Sequence, residues 1–178
     1  MSFEIEAKLK VDSLEQVSDR LTELDAEFVA EQRQKDYHFD NSTATLKASD
    51  SCLRLRRQTI GETEKCYLTY KGPKEQSNFK KRTEIETEIV DADSIEKLLA
   101  ALGYEKVFAV EKIRRLWKFG DCEIALDELP SLGYFVEIEG PDDKTITDVQ
   151  QHLGLAQLKH IPKSYAHLLK EELRRRKV

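Results

Sequence analysis

Apolar and polar residues alternate along most of this chain with a period of two. Glu4, Glu6 and Lys8 share one parity; Phe3, Ile5, Ala7 and Leu9 share the other. Successive side chains of a strand point to opposite faces, so residues 2–10 read as a strand with one ionic and one apolar face. The pattern returns in Glu84-Ile85-Glu86-Thr87-Glu88 and in Glu137-Ile138-Glu139. Similar β-like patterning predicts strands over 27–40, 52–57, 64–71, 80–90, 105–119, 122–128 and 134–140. Turns fall at Ile60-Gly61-Glu62-Thr63, at Gly120-Asp121 and from Leu129 to Gly133, and Gly72-Pro73 closes the strand before it. Loops are expected from Asn41 to Ser51 and from Lys74 to Asn78.

The period changes in four places. Leu14, Val17, Leu21 and Leu24 recur at helical spacing behind Asp12-Ser13-Leu14-Glu15, which reads as a capping box. Asp93-Ser94-Ile95-Glu96 repeats that start about 80 residues later, with Ile95, Leu98, Leu99 and Leu102 as the apolar stripe and Gly103 at its end. A strand followed by a capped helix therefore occurs twice, a weak internal duplication. A short helix is expected near 145–153, ended by Gly154. Another follows Pro162, with Tyr165, Leu168, Leu169 and Leu173 on one side. Eight strands with three to five helices and no regular strand–helix–strand alternation disfavour a doubly wound sheet. The expected class is α+β: an eight-stranded, largely antiparallel sheet closed into a barrel with flanking helices, one domain over residues 1–178.

Charge alters this picture more than size does. Of the 178 residues 35% are charged, above the usual quarter. The 29 basic and 34 acidic residues leave a net charge of −5, which gives no reason to expect nucleic acid or an anionic membrane as partner. There is no apolar run of bilayer length, and the first residues have neither a basic nor an apolar leader region, so a cytoplasmic protein is expected. Three scattered cysteines read as reduced thiols, and the four histidines have no metal-ligand spacing. Whether the chain forms a homodimer is left open.

The ionic parity gathers Glu4, Glu6 and Lys8; Arg54 and Arg56; Lys71; Lys80, Arg82, Glu84 and Glu86; Lys112 and Arg114; Asp127; Glu137 and Glu139. Helices with leucine stripes can usefully cover only the other, apolar face. On an open sheet the ionic face would be an ordinary wet surface, and for any single strand that is the common outcome. Across so many strands, near-equal acids and bases point instead to a closed sheet whose interior they line. Such a lining needs a polyanion for the basic groups and a divalent cation for the carboxylates, and a metal–triphosphate supplies both. The chain has no GxxxxGK[ST] or GxGxxG loop, so side chains would do the binding.

In these residues the chain resembles the CYTH superfamily of triphosphate tunnel metalloenzymes, and most closely its class IV adenylyl cyclase branch. The ExExK signature stands as Glu4, Glu6 and Lys8, and the paired strand arginines as Arg54 and Arg56. Lys71 is the lysine before Gly-Pro; Arg82, Glu84 and Glu86 form the basic-acidic strand. Glu111-Lys112-Ile113-Arg114 is the Glu-Lys-x-Arg segment, Asp127, Glu137 and Glu139 the closing acids, and Lys163 the lysine of Lys-Ser-Tyr. The likeness runs from Glu4 to about Leu169. It implies a charged barrel tunnel in which Glu4, Glu6, Glu86, Asp127, Glu137 and Glu139 carry Mg²⁺ or Mn²⁺. Lys8, Arg54, Arg56, Lys71, Arg82, Lys112, Arg114 and Lys163 would grip the triphosphate, with Lys8, Arg54, Arg56, Lys71 and Arg114 taking part in catalysis.

The reaction so implied is cyclisation of ATP to cyclic AMP and pyrophosphate. Alternatives are hydrolysis of inorganic tripolyphosphate, thiamine triphosphate or a nucleoside triphosphate, or a non-catalytic module that binds nucleotides or polyphosphate. Trp117, Tyr134 and Phe135 are expected in the core or at the rim, and the parity of Asp36 and Tyr37 is ambiguous. His38 reads as an ordinary polar residue, Arg57, Arg115 and the tail from Arg174 to Lys177 as surface charge, and Lys80 and Glu88 as tunnel-mouth groups.

Overall fold

The computed structural model describes residues 2–75 and 78–176. Gln76 and Ser77 of the expected loop, and Lys177 of the basic tail, lie outside that range. The strands are β1 (Ser2–Val11), β2 (Glu27–Asn41), β3 (Cys52–Ile60), β4 (Thr63–Glu75), β5 (Lys80–Ile89), β6 (Tyr104–Phe119), β7 (Cys122–Leu129) and β8 (Gly133–Glu139). They form a closed barrel in the order β1-β5-β4-β3-β2-β6-β7-β8, every neighbour antiparallel. Five helices accompany them among the described residues: α1 (Leu14–Glu23), α2 (Thr45–Ala48), α3 (Ala92–Ala101), α4 (Asp143–His152) and α5 (Tyr165–Arg175).

The two parities separate as the pattern requires. Ala7, Leu9 and Val11 of β1, Ile124 and Leu126 of β7, and Val136 and Ile138 of β8 face outward. There they meet Leu14, Val17 and Leu21 of α1 and Ile146 and Val149 of α4. A second outer cluster joins Leu99 of α3 to Phe39, Leu55 and Cys66 of β2, β3 and β4. The inner face is largely ionic, with Gln32, Gln34, Thr69 and the small Ala125 set among the ions; at one end Val110, Leu129 and Phe135 pack with Tyr165 at the start of α5. Phe135 is opposite Asp127 in register, so its ring belongs to the barrel interior.

Element boundaries differ from the pattern where side-chain hydrogen bonds decide them. Ser13, not Asp12, caps α1, accepting from the Gln16 N–H at 3.4 Å. Asp91 caps α3 from two residues before the expected Asp93, accepting from the Ser94 N–H at 3.0 Å. Buried Asp40 accepts from the N–H groups of Leu46 (3.1 Å) and Lys47 (3.0 Å), which turns part of the expected 41–51 loop into α2. Strand β4 runs past Gly72-Pro73 to Glu75, with a register shift between Lys71 and Lys74. Gly72 is needed there, because a Cβ at that position would lie 2.4 Å from Thr83 Oγ1 on β5.

The outer core holds the barrel against its helices. Leu21 is fully buried between α1 and the sheet. Leu21→Ala is expected to lower unfolding free energy by about 2–5 kcal/mol. Urea titration with an unchanged m-value checks this, and a loss below about 1 kcal/mol would contradict it.

Candidate active site

Register brings the ionic residues together in two zones. The open zone is a cavity of about 500 Å³ lined by Glu4, Arg54, Arg56, Lys71, Glu84, Glu86, Glu123 and Glu139, with Phe3 and Ile85 also at its wall. Lys71 on β4 donates from Nζ to Glu4 Oε1 (2.6 Å) and lies 2.8 Å from Glu84 Oε2. Arg56 on β3 makes a bidentate pair with Asp36 on β2, at 2.7 and 2.8 Å. Arg54, two residues earlier and on the same face, donates to Thr69 (3.1 Å) and Glu86 (3.4 Å) and approaches Asp36 within 3.7 Å.

The second zone is a packed floor. Lys80 donates to Glu6 at 2.6 Å, and Lys8 lies 3.1 Å from Glu137 and 3.5 Å from Glu6. Asp127 is fully buried and accepts from Lys112 (3.1 Å), from Arg114 (2.7 and 2.5 Å) and from the Tyr165 hydroxyl (2.9 Å). Arg114 also bonds Glu137. Buried ions survive only when each is compensated, and the floor arranges this pair by pair.

Protonation follows the same division. Burial alone would raise the acids of the floor, but the Lys80 and Lys8 ammoniums hold Glu6 well below the usual carboxylate range. Against the same burial, Lys8, Arg114 and Lys112 hold Glu137 far down, and Arg114 and Lys112 hold Asp127 down. Lys112 falls to about 8, because burial and the Arg114 charge outweigh its acids. Two of the cavity carboxylates behave oppositely, while against its burial Lys71 and Arg54 hold a third, Glu84, down. Burial and the neighbouring Glu6 raise Glu4, and desolvation by the cavity walls followed by the Glu4 charge pushes Glu139 up to about 7. Glu139 is nonetheless exposed at its end of β8, so solvent moderates the energetic consequence.

The residues expected from the sequence are thus placed in three ways. Glu4, Glu86, Glu139, Arg54, Arg56 and Lys71 meet around the cavity. Glu6, Glu137, Lys8, Lys112, Arg114 and Asp127 lie in the floor, where Asp127 has both oxygens occupied by cations and is placed as an anchor for Lys112 and Arg114 rather than as a free metal ligand. Two lie apart. Arg82 turns toward Asp50, within 3.3 Å of its carbonyl, and the half-exposed Lys163 ammonium pairs with Glu171 at 2.7 Å, so only its carbonyl reaches the floor, accepting from Lys8 Nζ at 3.1 Å. Lys80 is a buried floor residue, not a mouth group, and Glu88 is exposed beside Lys65. His38 faces inward, its Nδ1 3.3 Å from Cys52 Sγ; burial lowers its pKa to about 4. Asp36, whose parity the sequence left ambiguous, faces inward; Tyr165, read only as part of a helical stripe, and Glu123 were not picked out as site residues.

Among the described residues four buried polar atoms of the inner wall have no protein partner: Glu4 Oε2, Arg54 Nε, Arg82 Nε and Gln34 Oε1. An unpaired buried carboxylate oxygen suits a hard cation, and unpaired guanidinium N–H groups suit phosphate oxygens. Among the described residues no three carboxylate, imidazole or thiolate groups converge into a ready-made metal cluster. Glu4 and Glu139, with Glu6 and Glu123 opposite Glu139 in register, are the oxygen donors that fit a divalent ion here.

The elevated Glu139 pKa has a stability consequence. Below about pH 4.5 the carboxyl is protonated in both folded and unfolded chains. As pH rises from there to about 7 the unfolded chain ionises first, so folding loses stability across that window and no further above it. Glu139→Gln is expected to match wild type near pH 4 and to melt at a higher temperature than wild type at pH 8, in metal-free buffer. A constant difference across this range in thermal melts would contradict the assignment.

Comparison with known proteins agrees with the geometry. The CYTH domain model matches residues 2–165. A Methanocaldococcus jannaschii protein named as a candidate adenylate cyclase is 32% identical over 149 residues, 84% of this chain and 81% of its own. Adenylate cyclase CyaB of Aeromonas hydrophila is 28% identical over 181 residues, 96% and 91%. The PH1819 protein of Pyrococcus horikoshii superposes with a TM-score of 0.83 at 29% identity, covering 95% of this chain and 99% of that one. A Hippeastrum protein described as an adenylyl cyclase candidate with a dominant triphosphatase activity shares the fold, with a TM-score of 0.72 at 17% identity, covering 96% of each chain. With its eight-stranded barrel, ionic interior and ExExK strand accounted for over nearly its whole length, the chain belongs to the CYTH domain family.

Proposed function

We propose that this protein is a metal-dependent enzyme acting on a triphosphate, and that its reaction is the cyclisation of ATP to cyclic AMP and pyrophosphate. The observation that carries the reading is the cavity wall: Arg54, Arg56 and Lys71 stand against Glu4, Glu84, Glu86, Glu123 and Glu139. Neither a bare polyanion nor a bare cation satisfies both sets; a metal–triphosphate does. The cyclase names of two relatives point the same way.

Arg54 and Arg56 would hold phosphate oxygens, a reading supported by the Asp36 pair that already orients the Arg56 fork. Lys71 bridges the two sets through Glu4 and Glu84. In the cyclase reaction the ribose 3′-oxygen bonds to the α-phosphorus, the bond from that phosphorus to the β-bridging oxygen breaks, pyrophosphate leaves, and the hydroxyl proton passes to solvent. Charge builds on the departing oxygens, where fixed guanidinium and ammonium groups need little reorganisation to stabilise it. Mg²⁺ or Mn²⁺ held by Glu4 and Glu139, with Glu6 and Glu123 beside them, would supply further phosphate neutralisation and a more acidic nucleophile.

One feature favours hydrolysis as a second reading. The cavity is lined by ions, with Phe3 and Ile85 as its apolar members, so phosphates carry most of the recognition and a base little of it. Water attacking the terminal phosphorus would use the same side chains, and the Hippeastrum protein of this fold is described with that activity. Incubation with ATP, tripolyphosphate or thiamine triphosphate, each with Mg²⁺ or Mn²⁺, separates the readings. Cyclic AMP with pyrophosphate is expected; orthophosphate alone selects hydrolysis, and binding without metal-dependent turnover selects a non-catalytic module. Arg56→Ala should lower turnover by roughly 10²–10³-fold, and near-normal turnover in that variant would remove Arg56 from the reaction.

A further inference from the structure

The C-terminal segment holds Lys8 from several sides. The Lys8 backbone N–H donates to His160 Nδ1 (3.1 Å), and its carbonyl accepts from the Ile161 N–H (2.8 Å). Its ammonium donates to the Lys163 carbonyl (3.1 Å) and lies 4.3 Å from the centre of the Tyr165 ring. The Lys112 ammonium lies 4.8 Å from the centre of that same ring. Tyr165 is itself fixed: its hydroxyl donates to Asp127 (2.9 Å), and its ring packs edge-on against Phe135 with centroids 5.2 Å apart. One buried aromatic ring therefore serves two floor lysines from different strands.

We propose that Tyr165 is a positioning residue of the triphosphate site, its ring holding Lys8 and Lys112 as a pair and making α5 part of that site. This rests on the triphosphate reading above. The chemistry of a ring suits the task in a way a carboxylate does not. A carboxylate holds an ammonium by cancelling its charge, whereas the negative face of a ring attracts it through a quadrupole and adds no net charge. Both lysines already face acids, Glu137 for Lys8 and Asp127 for Lys112. The floor sets four cations (Lys8, Lys80, Lys112, Arg114) against three acids (Glu6, Asp127, Glu137), and a further acid at position 165 would cancel that one surplus positive charge. The ring keeps two cations in place without cancelling their charge.

Two measurements on the full chain test this. In the ligand-free wild type, the Hε and Cε resonances of Lys8 and Lys112 should lie upfield of those of exposed lysines, shifted by the ring current. Tyr165→Phe should keep these shifts, and Tyr165→Leu should lose them. In metal-free calorimetry, Tyr165→Phe should bind tripolyphosphate within about twofold of wild type, and Tyr165→Leu about tenfold more weakly, from the loss of two cation–ring contacts. Absence of the upfield shifts in wild type overturns the proposal without any variant. So does wild-type affinity in a folded Tyr165→Leu, or equal weakening in Tyr165→Phe. Wild type that shows the shifts but binds no tripolyphosphate overturns the triphosphate reading and leaves the placement of the lysines supported.

Discussion

Charge compensation inside a closed sheet is the constraint on which everything else in this molecule depends. An ion moved from water to a protein interior costs several kcal/mol, and attraction to a partner offsets that only when geometry is good and remaining lone pairs are used. The floor of the barrel meets those conditions: Asp127 accepts from Lys112, Arg114 and Tyr165, and Glu6 from Lys80. Because neighbouring strands supply the Lys80–Glu6, Lys8–Glu137, Lys112–Asp127 and Arg114–Asp127 pairs, register and charge specify one another. Sliding β6 by one residue against β7 would turn Arg114 outward and leave Asp127 buried without it.

Toward the open zone compensation becomes incomplete. Glu4 keeps one bonded and one bare oxygen, and Arg54 keeps a bare Nε. Glu139 is held partly protonated near neutrality by its surroundings. A gradient therefore runs through the barrel, from ions satisfied by protein to ions that still lack something. The floor stabilises the architecture, and the cavity retains unspent interaction for a ligand that brings both signs of charge.

Much of this was legible in the sequence, because parity survives folding. Arg54 and Arg56, or Glu4 and Glu6, had to share a face once their segments became strands, and the helix stripes had to take the other face. What parity cannot give is depth. Asp127 and Glu139 share an inner face, yet one is a sealed anchor and the other an exposed mouth residue. Asp36 was ambiguous because β2 carries irregularities at Phe28/Ala30 and at His38/Phe39, which interrupt counting from either end. Lys163 precedes α5 in a non-strand segment, so a motif could place its backbone but not its ammonium. Tyr165 resembled one more member of a helical stripe; nothing local marks a ring that will meet Lys8 and Lys112.

The bonds from His160 and Ile161 to Lys8 span more than 150 positions of chain. Such contacts form late, since their loop entropy is met only after shorter-range structure exists. On the ribosome, the first strand leaves the exit channel long before the segment that clasps it. An emerging chain can assemble hairpins and cover them with helices, but its floor lysines gain their aromatic support only once residues 160–165 have emerged. A nascent fragment without those residues has its ionic interior unfinished.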